Sequence, residues 1–160
     1  MDKDQITYYK SPIGIAKIIG NAQGIISVSI CDDAKESTFD IPLCLQDCVQ
    51  QLDAYFSGTR KEFDLQLNPQ GTDFQKRVWK ELRNVPFGKT RTYLEQSKKL
   101  GDIKAIRAVA SANGKNPIWI IIPCHRILGS DGSLTGYAGG IWRKKWLLEH
   151  EGMAKQETLF

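Results

Sequence analysis

The stretch Ile118-Trp119-Ile120-Ile121-Ile122-Pro123-Cys124-His125-Arg126 runs five apolar residues into a proline, a thiol and an imidazole. A short apolar run rich in β-branched isoleucine and closed by proline predicts a strand buried on both faces. Pro123 cannot donate to a ladder, so the chain is expected to leave the sheet there and present Cys124 at a turn. A cysteine is nucleophilic only as thiolate, which requires a base, a cation or a helix N-terminus nearby. His125 is the adjacent candidate base. Neighbouring residues on an extended strand point to opposite faces, so the pair needs a turn or a bridging water to cooperate. A third group, a carboxylate from elsewhere in the chain, is expected to orient the imidazole. The competing reading makes Cys124 a small buried hydrophobe and His125 a satisfied neighbour.

With 41% hydrophobic and 25% charged residues in 160, the composition is that of a globular chain with enough apolar residues for a core. The start, Met1-Asp2-Lys3-Asp4-Gln5, is polar, and the run at 118–122 is too short to cross a bilayer. A cytoplasmic monomer without membrane contact is expected, with Cys31, Cys44, Cys48 and Cys124 reduced. The net charge of +4 is unevenly spread: residues 1–70 carry six Lys/Arg against ten Asp/Glu, net −4, and residues 71–160 carry sixteen against eight, net +8. The basic half is the one expected to meet a polyanion. Basic residues that merely solvate a surface are the alternative.

In the acidic half, residues 13–19 and 25–30 are isoleucine-rich runs separated by Gly20-Asn21-Ala22-Gln23-Gly24, which predicts a hairpin. Leu45, Cys48, Val49, Leu52 and Phe56 recur at helical spacing before Gly58, predicting a helix over 43–57; Phe63, Leu65 and Leu67 alternate as a further strand. Cys44 and Cys48 have a spacing that allows metal ligation from one helix face. With no histidine before His125, Cys48 is assigned to the core and no metal or cofactor is expected.

Asn68-Pro69-Gln70-Gly71 marks a boundary, giving a domain over 1–68, a second over 71–153 and a tail over 154–160. Thr72-x-x-Gln75 and Thr92-x-x-Glu95 each read as a capping box opening a helix. Gly101 ends the second of these helices and Asp102 caps a third running to Ala112, which together read as helix-turn-helix. The third helix is built of small residues, Ala105, Ala108, Ala110, Ser111 and Ala112, with Lys104 and Arg107 as its long ones. Such a face approaches either a neighbouring helix or a nucleic-acid groove closely. Asn116, before Pro117, reads as a brace for the thiol loop. Ile127-Leu128 and Ser133-Leu134-Thr135 flank an Asp131-Gly132 turn, predicting a wing hairpin. A last helix over 141–150 is expected to turn Trp142, Trp146 and Leu147 inward and to deliver Glu151 at its end.

Pro123-Cys124-His125-Arg126, Gly136-Tyr137-Ala138-Gly139-Gly140 and Trp146-Leu147-Leu148-Glu149-His150-Glu151-Gly152 resemble the O6-alkylguanine-DNA alkyltransferases. Gly71-Thr72-Asp73-Phe74-Gln75, Val78-Trp79, Val85-Pro86-Phe87-Gly88-Lys89-Thr90, Ala105-Ile106-Arg107-Ala108-Val109, Ala112-Asn113-Gly114 and Asn116-Pro117 extend the likeness upstream. The resemblance implies an α+β chain with an N-terminal RNase H-like α/β domain followed by a helical winged helix-turn-helix domain. It also implies a partner, double-stranded DNA containing O6-alkylguanine, with O4-alkylthymine as a further candidate substrate. The third helix would lie in the minor groove and Arg107 would fill the gap left by a flipped base; a phosphate contact or surface salt bridge is the simpler role for that arginine. Lys104, Ala105, Ala108 and Arg126 are assigned to the same DNA surface. Tyr93 would crowd the flipped nucleotide's phosphate and help protonate the leaving guanine. Glu151 would bond His125, which through a water takes the proton of Cys124. Ile127, Tyr137, Ala138 and Asn116 are assigned to the base pocket. Ala138 stands where some members have serine, and Gln96-Ser97 depart from the commoner Leu-Ala pair.

The tail Gln156-Glu157-Thr158-Leu159-Phe160 resembles the short peptides by which bacterial repair proteins bind the sliding clamp. Two other readings compete with suicidal alkyl transfer: a noncatalytic damage sensor, and a winged-helix regulator in which Cys124 is only core.

Overall fold

The structure is a computed structural model that describes residues 3–32 and 40–153. The tail motif at 156–160 lies outside the described residues. The chain divides into two compact units, Met1–Gln70 with Pro117–Trp119, and Gly71–Asn116 with Ile120–Phe160.

In the first unit, β1 (Gln5–Ser11), β2 (Gly14–Asn21) and β3 (Gly24–Cys31) form an antiparallel meander in that order. The predicted hairpin is β2–β3. Its turn requires glycine, since Gly24 has φ 133° and a Cβ there would stand 2.7 Å from the Gln66 carbonyl oxygen. Ala16, Ile18, Ile25, Val28 and Ile30 are buried on one face of the sheet. Helix α1 (Leu43–Phe56) buries Leu45, Cys48, Leu52 and Tyr55. Each fully buried leucine of this kind contributes about 1.5–3 kcal/mol. Cys48 is buried while Cys44 is exposed, so the two sulfurs do not share an environment; burial pushes the Cys48 thiol up to about 12.

The strands predicted over 63–67 and 118–122 do not form. Residues 63–67 reach the sheet only at one parallel bridge, Leu67 with Ile25, because Ile25 alone exchanges both of its backbone bonds, with Gln66 and Asn68. The isoleucine run bridges only at Ile118, with Val28. From 119 to 122 the backbone turns, and Ile120 takes a left-handed φ of 73°. Burial on all sides demands apolar residues in a sharp turn just as it does in a central strand, so the composition of the run does not distinguish the two. A β-branched residue in the left-handed region is strained, by roughly 1–3 kcal/mol.

In the second unit, Thr72 and Thr92 form both predicted capping boxes, opening α2 (Asp73–Leu82) and α3 (Tyr93–Lys99). Asp102 caps a 3-10 turn, Ile103–Ala105, that leads into α4 (Ile106–Gly114), and Gly101 makes the turn between the helices at φ 86°. Trp79 ties α2 to α4 by donating from Nε1 to the Ala112 carbonyl at 2.8 Å. The wing is only half realised. Gly129 donates to the Ser133 carbonyl and Gly132 to that of Gly129, each at 2.9 Å, which closes the loop. Yet β5 (Ile127–Leu128) pairs in parallel with β4 (Arg91–Thr92), and residues 133–135 add no strand beside it. Helix α5 (Ile141–His150) buries Arg143, Lys144, Leu147 and Leu148. Trp142 is 51% exposed, so the expectation that it points inward is corrected: the inward stripe starts on two cations, whose ammonium and guanidinium reach backbone carbonyls.

Candidate active site

Cys124 opens a 3-10 turn, Cys124–Arg126, in which three consecutive side chains are buried. A turn of this kind lets neighbours work together where an extended strand would send them to opposite faces. Cys124 lines a cavity of about 160 Å³ with Tyr93 from the start of α3, Asn113 from α4, and Tyr137 and Ala138 from the loop before α5. Asn116 braces the thiol loop as its position suggested, donating from Nδ2 to the Ile122 carbonyl at 2.8 Å and to Cys124 Sγ at 3.3 Å.

Behind the thiol, His125 Nε2 lies 2.8 Å from Glu151 Oε2. Arg126 donates to the same carboxylate from Nε at 2.7 Å and Nη2 at 2.9 Å, and from Nη1 to the Val85 carbonyl at 2.7 Å. Burial by itself raises the Glu151 carboxyl, but His125 and Arg126 outweigh it and hold the group well below the usual carboxylate range. Burial lowers His125, more than Glu151 raises it, so the imidazole is neutral at neutral pH. An ionised carboxylate only accepts, so Nε2 carries the hydrogen and Nδ1 keeps a lone pair. Among the described residues Nδ1 has no partner, which leaves it available as a proton acceptor.

Burial raises the Cys124 thiol, against the pull of Asn116 and Lys144. The resting sulfur is therefore protonated and depends on a base. Lys144, fully buried, donates from Nζ to the carbonyls of Thr135 at 2.8 Å and Gly136 at 3.4 Å, and burial lowers its ammonium to about 8. Tyr93 bonds the Thr135 carbonyl at 3.5 Å. Burial raises its phenol, so the group stays a donor at neutral pH.

Residues 73–153 match the model of the 6-O-methylguanine DNA methyltransferase DNA-binding domain and residues 6–69 that of its ribonuclease-like domain. The chain belongs to the 6-O-methylguanine DNA methyltransferase family. A methylated-DNA–protein-cysteine methyltransferase of Methanosarcina barkeri is 47% identical over 149 residues, covering 89% of this chain and 93% of the relative. The crystal structure of Mycobacterium tuberculosis O6-methylguanine methyltransferase is similar at a TM-score of 0.83 and 44% identity, over 93% of each chain. Mycobacterium tuberculosis OGT in complex with DNA is similar at 0.81 and 45%, over 90% of each.

Within this methyltransferase chain, the expected residues fall into three groups. Cys124, His125, Glu151, Tyr93, Tyr137, Ala138 and Asn116 gather at or directly behind the cavity. Lys104 in the 3-10 turn before α4, and Arg107 and Ala108 in the first turn of α4, are exposed, with Ala105 half-buried beside them. Two assignments are corrected. Arg126 is buried, with its donors committed to Glu151 and Val85, and is not a surface cation for DNA. Ile127 is fully buried in β5, outside the cavity wall. Sequence reasoning missed Lys144 and Asn113. Lys144 was detectable, since it lies three and four residues before Leu147 and Leu148 on the inward face of α5.

Proposed function

We propose that the chain flips O6-alkylguanine out of duplex DNA and transfers the alkyl group irreversibly to Cys124 Sγ, once per molecule. The observation that carries this reading is the buried His125–Glu151 pair at 2.8 Å behind a cysteine that lines a cavity, in a chain whose relatives are named for methyl transfer to cysteine.

The neutral imidazole takes the thiol proton at Nδ1, relayed by a solvent molecule, and Glu151 stabilises the imidazolium that forms. The thiolate attacks the alkyl carbon. The S–C bond forms as the C–O6 bond breaks, and the bonding pair leaves with the purine. Tyr93 donates toward the leaving base, which takes up a proton. The sulfur ends as a thioether without a leaving group that this site can expel, so the protein is consumed. Tyr137 and Ala138 are proposed walls for the base, and Lys104 and Ala105 of the 3-10 turn, with Arg107 and Ala108 of α4, the DNA-facing residues. The domains proposed are 1–68 and 71–153, and the protein is proposed to act as a cytoplasmic monomer; no helix among the described residues is long and apolar enough to cross a membrane. Residues 156–160 are proposed as a sliding-clamp peptide, an idea removed if a fluorescent copy of them shows no saturable binding to the cognate clamp.

The deciding experiment is intact-mass analysis and peptide mapping after mixing with a duplex carrying one O6-methylguanine. A gain of one methyl on the Cys124 peptide, absent in Cys124→Ala, is expected. Tight binding of the lesion without mass gain overturns the transfer reading in favour of a damage sensor.

A further inference from the structure

Gln96 on α3 and Asn113 on α4 form a closed pair of amides. Gln96 Nε2 donates to Asn113 Oδ1 at 2.8 Å, and Asn113 Nδ2 donates to Gln96 Oε1 at 2.7 Å. Gln96 is fully buried and Asn113 nearly so. Asn113 also lines the cavity that holds Cys124. A carboxamide has two N–H donors and two acceptor lone pairs. The ring of two bonds uses one donor and one acceptor on each residue, and neither side chain makes another hydrogen bond among the described residues. Asn113, a residue of the cavity wall, therefore keeps one donor and one acceptor outside the ring.

An apolar pair of similar shape would hold α3 against α4 without leaving buried polar capacity unused. What an apolar pair cannot do is present an amide to the cavity. The ring also stays closed if both amides turn over together, because each exchange of oxygen for nitrogen is matched by the other. The wall thus offers a donor or an acceptor at the same place without breaking its own pair.

We infer that Asn113 is a specificity-determining residue that makes one hydrogen bond to an edge of the flipped alkylated base, and that Gln96 is a positioning residue that fixes its amide. This rests on the reading of the cavity as the base pocket. It assigns a task to Gln96, where the sequence departs from the family's commoner leucine.

The test compares the full-length wild type with Asn113→Leu, Gln96→Leu and the double variant, which restores an apolar contact between the helices. Thermal midpoint, affinity for undamaged duplex and single-turnover transfer rates are measured, the last with an O6-methylguanine duplex and with free O6-methylguanine base. Loss of one base contact slows transfer roughly tenfold to a hundredfold. That loss is expected from both methyl donors in Asn113→Leu and the double variant, with midpoint and duplex affinity of the double near wild type. Gln96→Leu alone is expected to slow both donors as well, and it replaces the double variant if the latter does not fold. Wild-type rates in the double variant, or a loss confined to the duplex and matched by weaker duplex affinity, overturn the inference and leave the pair a structural bond. A wild type that transfers nothing overturns the proposed function itself, and is distinguished by needing no variant.

Discussion

Glu151 receives His125 Nε2 at 2.8 Å and, on the same carboxylate, two N–H groups of Arg126 at 2.7 and 2.9 Å. Consecutive residues of one tight turn thus converge on a single anion delivered by the end of α5. The arginine secures the charge of the carboxylate, and the charged carboxylate in turn sets the tautomer of the histidine.

Glu151→Gln leaves the Arg126 guanidinium buried without the negative charge it pairs with. Removing one member of a buried ion pair costs roughly 3–5 kcal/mol. Urea unfolding is expected to register that loss together with slowed methyl transfer; a variant within 1 kcal/mol of wild type contradicts the assigned role.

Acid is expected to destabilise the fold in two stages. His125 is lowered from 6.5 in the folded protein, so the unfolded chain binds its proton first, and stability falls as pH drops below 6.5 toward the folded value. Glu151 is lowered from 4.5, so a second loss begins below 4.5 and runs on toward its folded value. Because the reactive imidazole is the neutral form, transfer is expected to persist below pH 6.5, with its acid limb midpoint under that value. Thermal midpoints and single-turnover rates across this range check both statements, and an acid limb centred at or above 6.5 contradicts the second.

Lys144→Met separates stability from function. Lowering an ammonium from 10.5 to about 8 corresponds to about 3 kcal/mol of destabilisation at neutral pH. The Thr135 and Gly136 carbonyls that it bonds belong to exposed residues, where water replaces it. The variant is expected to melt higher by up to that amount and to transfer more slowly, because the cation that lowers the Cys124 thiol is gone.

Asn116→Ala removes both the Ile122 and the Cys124 bonds. The Ile122 carbonyl keeps the Cys124 backbone N–H as a donor at 2.9 Å, so the lost bonds are expected to cost about 1 kcal/mol. The thiol is expected to titrate higher, which the pH dependence of its alkylation by iodoacetamide reads directly. An unchanged thiol titration sinks the brace-and-donor role.

Arg107→Ala alters an exposed residue of α4 and is expected to leave the thermal midpoint within experimental error. Transfer from duplex DNA is expected to fall, while transfer from the free base is retained. Equal losses on the two donors place Arg107 outside DNA docking.

The sequence by itself determined the helices and their caps, because a capping box and an apolar stripe are local arrangements that a few residues complete: Thr72 with Gln75, Thr92 with Glu95, and Leu45 with Cys48 and Leu52. The family motifs likewise named Cys124, His125 and Glu151. Strand β1 was not legible because its pattern is inverted. Thr7 and Ser11 are buried and Ile6 is 46% exposed, so polarity there does not report the face. Only the tertiary structure decided that the isoleucine run turns, since Ile120 holds a left-handed φ under packing that no local propensity predicts. It also moved Arg126 from the surface into the active-site ion network, buried Lys144 where its charge acts on the Cys124 thiol, and paired Gln96 with Asn113 across two helices. These are contacts between residues far apart in the chain, where burial and charge are properties of the assembled neighbours and have no counterpart in local sequence.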